Sequence, residues 1–575
     1  MTGVHPVNGL IPLPVAVEPR SGHVELPDTA LVITDSALKA AASWWRHTCE
    51  DAFGVSWNLS VGSPAGAIGS AADSARAADL PDSPATVFRL DAQVPAGGYV
   101  LNISGRSVDI RAADINGAHA AAQTLRQLLG PDAFRHAHAG EVRVPCAQVT
   151  DSPRFPWRGL LLDVARHFMP KHGILRMIDL AAGLKLNRFQ LHLTDDQGWR
   201  FEVRAHPRLT EVGGWRVGSG VGSWRAGRTD STPHGGFYTQ DDLREIVAYA
   251  EQRGITVVPE INVPGHSEAA IAAYPELGLT GRATEVRTTW GISEDVLRPS
   301  EATLAFYMEV LDELVDVFPS PVICLGGDEV PTTGWRRDPE LVKQAAVLGL
   351  DDVAQLHGWF LARLAAHVSS LGRQASVWDE AVGPQLPKDV VVLAWRGPTR
   401  ASDARIGGWD VVMSPEQFVY LDHRSDDGPD EPVPVGFLRT VDDVYHFEPD
   451  SMGAQTSPDV VGRLLGAQAA LWTEHLDSAR RVDFAAFPRL AAFAETVWSP
   501  PGRRDLTDFR RRLADHYLPA LDALGVEYRP EGGPLPWQRR PGVQGWPRDL
   551  VAELAAGGWS GIGGWREDNA HQGPR

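Results

Sequence analysis

Two neighbouring carboxylates, Asp328 and Glu329, follow a pair of glycines, Gly326 and Gly327, that stop a short apolar run from Pro321 to Leu325. Such a run reads as a buried strand, and successive side chains at a strand end project in different directions. Adjacent acids there can work on different atoms of one ligand, and the glycines let a ligand or loop approach the backbone closely. Alone, an Asp-Glu pair after a strand is equally well the edge of a solvated loop. Polar and aromatic residues, however, also finish other short apolar runs: Arg166 and His167; His192, Asp195 and Asp196; Glu260 and Asn262, with His266 just after; Trp378, Asp379 and Glu380; Trp395 and Arg396; Trp472 and Glu474. No Cys or His cluster at metal-ligand spacing accompanies them, so neither a metal nor a cofactor is expected. Carboxylates beside flat indoles suit cleavage of a glycosidic bond, ordinarily by two separated carboxylates. Two adjacent acids serve better where the sugar's own 2-acetamido oxygen attacks the anomeric carbon.

The elements that must position these residues begin at Arg154. Apolar strands are predicted at 159–166, 188–194, 255–262, 322–326, 374–380, 390–396, 410–414 and 468–474. Helices fit between several of them, over 173–186, 302–318 and 353–371, and one opens at Thr239 with Asp242 three residues on, a capping box. Eight strands alternating with helices over residues 151–525 predict a (β/α)8 TIM barrel, whose polar strand ends converge on one face. A doubly wound open sheet is the alternative, but no Gly-rich phosphate turn follows the first strand. Residues 1–150 read as a smaller N-terminal α/β domain with a strand at 30–34, helices at 36–53 and 117–129, and a hairpin 98–111 turning at Gly105. Residues 62–84 are Ala/Ser/Gly/Pro-rich, a surface loop. His136 and His138 have no third ligand nearby. After the barrel strands, 481–498 and 507–524 read as helices. Residues 526–575 are Gly/Pro/Arg-rich with Trp537, Trp546, Trp559 and Trp565, either a partly ordered tail or a strap docked by its tryptophans.

The 575-residue chain carries a formal net charge of −19, which argues against a nucleic-acid partner. Its three cysteines have no paired spacing, which suits a reducing compartment. No signal peptide or membrane-spanning run is read, so a cytoplasmic location and no membrane partner are expected. Several of the 19 tryptophans sit beside acids at strand ends, as a sugar-binding pocket requires.

The ordered set Gly326-Gly327-Asp328-Glu329, Arg158-Gly159-Leu-Leu-Leu-Asp163-Val-Ala-Arg166-His167, Leu191-His-Leu-Thr-Asp-Asp-Gln-Gly-Trp199, Pro259-Glu260-Ile-Asn-Val-Pro-Gly265-His266, Val377-Trp378-Asp-Glu380, Tyr420-Leu421-Asp422 and Ala470-Leu471-Trp472-Thr473-Glu474 resembles glycoside hydrolase family 20, the β-N-acetylhexosaminidases. The resemblance spans the barrel and extends to the N-terminal domain through Gly98-Tyr-Val-Leu and Thr124-Leu-Arg-Gln-Leu-Leu129. It implies an exo-acting, retaining enzyme on terminal β-linked GlcNAc or GalNAc, with Glu329 as general acid and then base, Asp328 polarising the acetamido group and Tyr420 binding its carbonyl. It also implies that Arg158, Asp422 and Glu474 hold sugar hydroxyls, that Trp378, Trp395 and Trp472 wall the pocket, and that Asp195 and His266 support Glu329. Two positions depart from the family's pattern: Cys324 stands where His is common and Asn262 where Asp is common. No match is found for a further pocket tryptophan, where Phe437 stands instead. A two-carboxylate glycosidase on plain hexosides and a non-catalytic sugar-binding barrel are the competing readings.

Overall fold

The computed structural model describes residues 6–62, 84–136, 140–450 and 461–557. Most of the predicted 62–84 loop, together with His138, Trp559 and Trp565, lies outside them. The N-terminal part is a seven-stranded sheet of β1 (Ala16–Leu26), β2 (Leu31–Thr34), β3 (Asn58–Val61), β4 (Ala85–Leu90), β5 (Tyr99–Ser104), β6 (Ser107–Ala112) and β7 (Val142–Asp151), in the order β1-β7-β5-β6-β4-β2-β3. β5 and β6 form the predicted antiparallel hairpin with Gly105 (φ +62) in its turn. Helices α1 (Lys39–Phe53) and α2 (Ile115–Leu128) contribute Trp45, Ala121 and Leu125 to one core with Leu101 and Ile110 of the sheet.

The second part is a closed parallel barrel: β8 (Trp157–Asp163), β9 (Arg188–His192), β10 (Thr256–Glu260), β11 (Val322–Cys324), β12 (Gln374–Trp378), β13 (Val391–Ala394), β14 (Val411–Met413) and β15 (Leu464–Leu471). All eight predicted strands are present, each ending one to three residues earlier than the sequence reading. All seven residues of β8 are buried, as expected where helices cover the outside of a parallel sheet and side chains fill the inside. The outer helices include α3 (Lys171–Gly183), α4 (Gln240–Glu251), α5 (Glu301–Val317), α6 (Leu356–Ser370) and α7 (Pro398–Ile406). α4 opens with the predicted capping box: Asp242 N–H donates to Thr239 Oγ1 (3.0 Å) and Thr239 N–H to Asp242 Oδ2 (3.1 Å).

The stretch read as one helix over 481–498 is two, α8 (Ala479–Ala486) and α9 (Arg489–Trp498), because Pro488 has no N–H with which to continue the first. The helix read over 507–524 widens into a π turn at Leu513–Tyr517. Residues 526–557 dock as a strap. Trp546 and Pro547 pair in parallel with Val435 and Gly436, whereas Trp537 is 59% exposed. The two parts are joined by a buried ion pair, Lys185 Nζ to Asp151 Oδ2 at 2.8 Å, with Trp498 Nε1 donating to the same carboxylate at 3.0 Å. No helix among the described residues is long and apolar enough to cross a membrane.

Candidate active site

The chain beyond β11 turns sharply because Gly326 (φ +69) and Gly327 (φ +93) both adopt left-handed backbone. A Cβ at Gly326 would lie 1.9 Å from Asn262 Oδ1, so this glycine also makes room for the neighbouring strand end. Only three described non-glycine residues have positive φ, and two of them, Glu329 (51°) and His266 (50°), are here. Strained backbone of this kind persists only where surrounding contacts hold it, and it concentrates at functional sites.

Those contacts form one connected network. Asn262 Nδ2 donates to Asp328 Oδ1 (2.8 Å) while its Oδ1 accepts from Gly327 N–H (3.0 Å), so one amide holds both the glycine turn and the carboxylate. His266 Nδ1 lies 3.1 Å from Asp195 Oδ1, and its Nε2 faces Asp328 Oδ2 at 3.7 Å and Glu329 Oε2 at 3.5 Å. Asp195 is shared further, with His192 Nε2 (2.7 Å) and Arg166 Nη2 (3.0 Å). His192 Nδ1 is 2.9 Å from Glu260 Oε2, and Glu260 also accepts from Trp378 Nε1 (2.9 Å) and Gln190 Nε2 (2.8 Å).

Burial opposes charge on His266, but Asp195 and Asp328 outweigh it and hold the imidazole protonated, well above its ordinary range. Burial likewise works against Asp195, yet Arg166 and His266 keep its carboxyl well below the usual carboxylate range. Asp328 goes the other way: burial pushes it up to about 6, His266 pulls it back and Glu329 adds to the rise. Asp328 is almost enclosed, whereas the Glu329 side chain is 25% exposed. The two adjacent acids thus occupy different surroundings.

The aromatic wall is continuous. Trp395 stacks on Tyr420 (centroids 6.4 Å, 17°), Tyr420 lies 6.0 Å from Trp472, and Trp472 lies 6.1 Å from Trp378. Trp395 Nε1 is fixed by Glu380 Oε2 at 2.8 Å. On the same rim Asp422 accepts from Trp472 N–H (3.5 Å). Burial and the charge of Glu474 push the Asp422 carboxyl up; burial raises Glu474 too, against the pull of Arg166.

Arg158 is not among these groups. It stands at the start of β8, where its N–H bonds Asn187 Oδ1 (3.0 Å) and its guanidinium bonds the carbonyls of Lys185 (2.9 Å) and Phe155 (2.7 Å) over the Trp498 ring. That is the floor of the barrel, the end opposite the rim. The arginine at the rim is Arg166, just beyond the end of β8, with its guanidinium 5.0 Å over Trp472. Phe437 is fully buried beneath Arg548 (4.1 Å to the ring) and walls no open pocket. Sequence reasoning assigned no role to Arg166, Glu260, Glu380 or Arg489. Arg489 on α9 donates to the carbonyls of Leu421, His423, Arg439 and Ala485 and so pins the loop that carries Asp422. Two overlapping groups, Asp195/Asp196/His266 and His266/Asp328/Glu329, come close enough to hold a cation. In both, His266 already supplies positive charge, and Arg166 supplies more at Asp195.

The family model "Glycosyl hydrolase family 20, catalytic domain" matches residues 155–501, and "Glycosyl hydrolase family 20, domain 2" matches residues 8–152. The chain belongs to glycosyl hydrolase family 20. Family-20 relatives include a β-hexosaminidase of Porphyromonas gingivalis, 34% identical over 93% of this chain and 65% of that protein. One from Vibrio furnissii is 37% identical over 71% of this chain and 66% of that protein. This chain therefore spans about two thirds of the length of these relatives. Its fold superposes on the family-20 exo-β-N-acetylglucosaminidase of Vibrio harveyi in complex with N-acetylglucosamine, with a TM-score of 0.78 and 32% identity over 91% of this chain and 78% of that one.

Proposed function

We propose that this chain is an exo-acting, retaining β-N-acetylhexosaminidase that removes terminal β-linked GlcNAc or GalNAc, using the substrate's acetamido group as nucleophile. The observation that carries this reading is the pair of adjacent acids in unlike surroundings. Ionised Asp328, held by Asn262, accepts the acetamido N–H and turns the amide oxygen towards the anomeric carbon. Tyr420 donates to that oxygen in the ground state. As the oxygen–carbon bond forms, the glycosidic bond breaks, and Glu329 gives its proton to the departing oxygen. The resulting oxazolinium cation is stabilised by the Asp328 carboxylate. Glu329, now ionised, removes a proton from water; the water adds to the anomeric carbon and the amide is released. Two displacements on one carbon give net retention. Protonated His266, anchored by Asp195, faces both acids and balances their charge. Arg166, Asp422 and Glu474 hold the hydroxyls, and Trp378, Trp395 and Trp472 enclose the acetamido methyl and ring face.

The test is turnover of aryl β-GlcNAc, β-GalNAc and β-glucoside by the wild type and by Asp328→Asn and Glu329→Gln. Turnover of the two acetamido sugars but not the glucoside is expected, with each variant slower by several orders of magnitude while remaining folded. Cleavage of the glucoside at a comparable rate would replace this reading with a two-carboxylate mechanism. Three buried, unpaired cysteines support action in a reducing, cytoplasmic compartment, which cell fractionation would test.

A further inference from the structure

We propose that the C-terminal strap belongs to the catalytic apparatus: through Arg548, paired with buried Glu416, it positions Tyr420. The inference rests on the role given above to Tyr420. The strap lies outside both family-model matches, which end at residues 152 and 501.

The strap crosses the rim between two loops that follow different strands. Ser223 N–H donates to Gln544 carbonyl (2.8 Å) on the loop after β9. Arg548 N–H donates to Gly436 carbonyl (2.8 Å) on the loop after β14, beside the Val435–Trp546 and Gly436–Pro547 pairing. Backbone approach is close on both sides: a Cβ at Gly222 would meet Gln544 O at 2.5 Å, and one at Gly545 would meet Pro434 O at 2.3 Å. This docking aims the Arg548 side chain inward. Its guanidinium makes a two-pronged contact with Glu416 (Nη1–Oε2 2.9 Å, Nη2–Oε1 3.3 Å) and is itself fixed by Glu553 (2.9 and 2.7 Å).

Glu416 is 5% exposed, and among the described residues Arg548 is its ion-pair partner. It is the first residue of a single helical turn, Glu416–Val419, that ends at Tyr420. At one end, Glu416 N–H donates to Trp395 carbonyl (2.9 Å); at the other, Tyr420 bridges Ala470, and Leu421 N–H donates to Ala470 carbonyl (2.8 Å). A four-residue turn has no stability of its own, so its place depends on such tethers. Arg548 is the tether that comes from outside the barrel. It also neutralises a buried carboxylate whose charge reaches both Tyr420 and Glu329. Arg548 is thus a positioning residue.

The experiment is a double-mutant cycle on the full chain with aryl β-GlcNAc, using Arg548→Met, Tyr420→Phe and both together, with Arg548→Lys as the conservative variant. Arg548→Met should lower kcat/KM by roughly 10- to 30-fold, and Arg548→Lys by less, because one point charge replaces the fork. In the Tyr420→Phe background the further loss should be less than about 2-fold, since Arg548 acts by placing the hydroxyl that Tyr420→Phe has already removed. Multiplicative losses would overturn the proposal, because a merely structural role predicts them. Hydrogen exchange supplies a readout independent of turnover. Amides 417–421 should lose protection in Arg548→Met while those of β5 and β6 do not, and unchanged protection at 417–421 would also overturn it. A wild type inactive on every acetamido substrate would sink the functional reading, and the exchange result would still decide whether the tether exists.

Discussion

Asn262→Asp changes one atom type at the point where the structure is most sensitive to it. In the wild type, the Asn262 amide donates to Asp328 Oδ1 at 2.8 Å and accepts from Gly327 N–H. Burial holds the Asp328 carboxyl up at about 6, so it becomes protonated as pH falls through that value and, on the proposed mechanism, would no longer accept the acetamido N–H as an anion. The acid limb of kcat/KM, which reports the free enzyme, is therefore expected near pH 6. An aspartate at 262 removes a donor to a charged acceptor, worth ~1.5–3 kcal/mol. It also sets a second carboxylate against the first, a repulsion of ~4 kcal/mol at 4 Å and an effective dielectric of 20. Side-chain rotation relieves much of this, and a net ~1.5–3 kcal/mol corresponds to a rise of ~1–2 pH units. Gly327 N–H favours the anion at 262, so the shared proton resides mainly on Asp328; the two acids titrate as a pair. The limb should move up to between ~7 and ~8, with activity at pH 6 reduced ~5- to 50-fold and the profiles converging on the alkaline side. The assay is kcat/KM on aryl β-GlcNAc from pH 4.5 to 9. A profile that superimposes on the wild type, or a loss of equal size at every pH, would refute the assignment of Asp328 as the group that must be ionised.

Three further predictions follow from the placement of two arginines and of the domain-joining lysine. Arg166→Met removes a rim cation paired with Asp195 and should lower kcat/KM by ~100-fold or more, equivalent to ~2.7 kcal/mol, mainly through KM. Arg158→Met should leave the kinetic constants within ~3-fold and lower the melting temperature instead, because it frees buried carbonyls at the barrel floor; the opposite pattern would return Arg158 to the substrate. Lys185→Met strands Asp151 between the domains and should cost ~3–5 kcal/mol in denaturant unfolding, and Asp151→Asn in the same background should recover part of that loss.

The contrast between the two arginines shows what a motif conveys. Arg158 and Arg166 lie in one motif, but β8 carries seven residues at ~3.3 Å each, which puts them at opposite ends of the barrel. Strand direction decides which end matters: in a parallel barrel every strand points its C-terminal end at the site, and that rule favours Arg166 without any structure. The same rule made the rim legible at Asp195, His266, Asp328, Glu329, Trp378, Trp395, Trp472 and Glu474, since each lies at the end of a predicted strand or just after one. It says nothing of residues that act from elsewhere. Arg489 reaches the Asp422 loop from α9, and the strap finds Val435 and Glu416 more than 100 residues earlier in the chain. A Gly/Pro/Arg-rich segment has no periodicity from which such pairing can be read.

The left-handed residues carry this further. Glu329 and His266 hold backbone that glycine would adopt freely, at a cost of order 1–3 kcal/mol each. No local propensity explains a glutamate at φ 51°, so the conformation is imposed by Gly326, Gly327 and the Asn262 amide that clamps them. The consequence is directional. Asp328 is drawn under Asn262 and His266, and the turn at Glu329 leaves the next carboxylate partly open to solvent. The two acids differ in surroundings because the backbone is left-handed at Glu329, just beyond the two glycines that turn the chain before Asp328. A site in which one acid must stay ionised while its neighbour exchanges protons needs such a separation, and adjacent residues on regular strand geometry would not supply it.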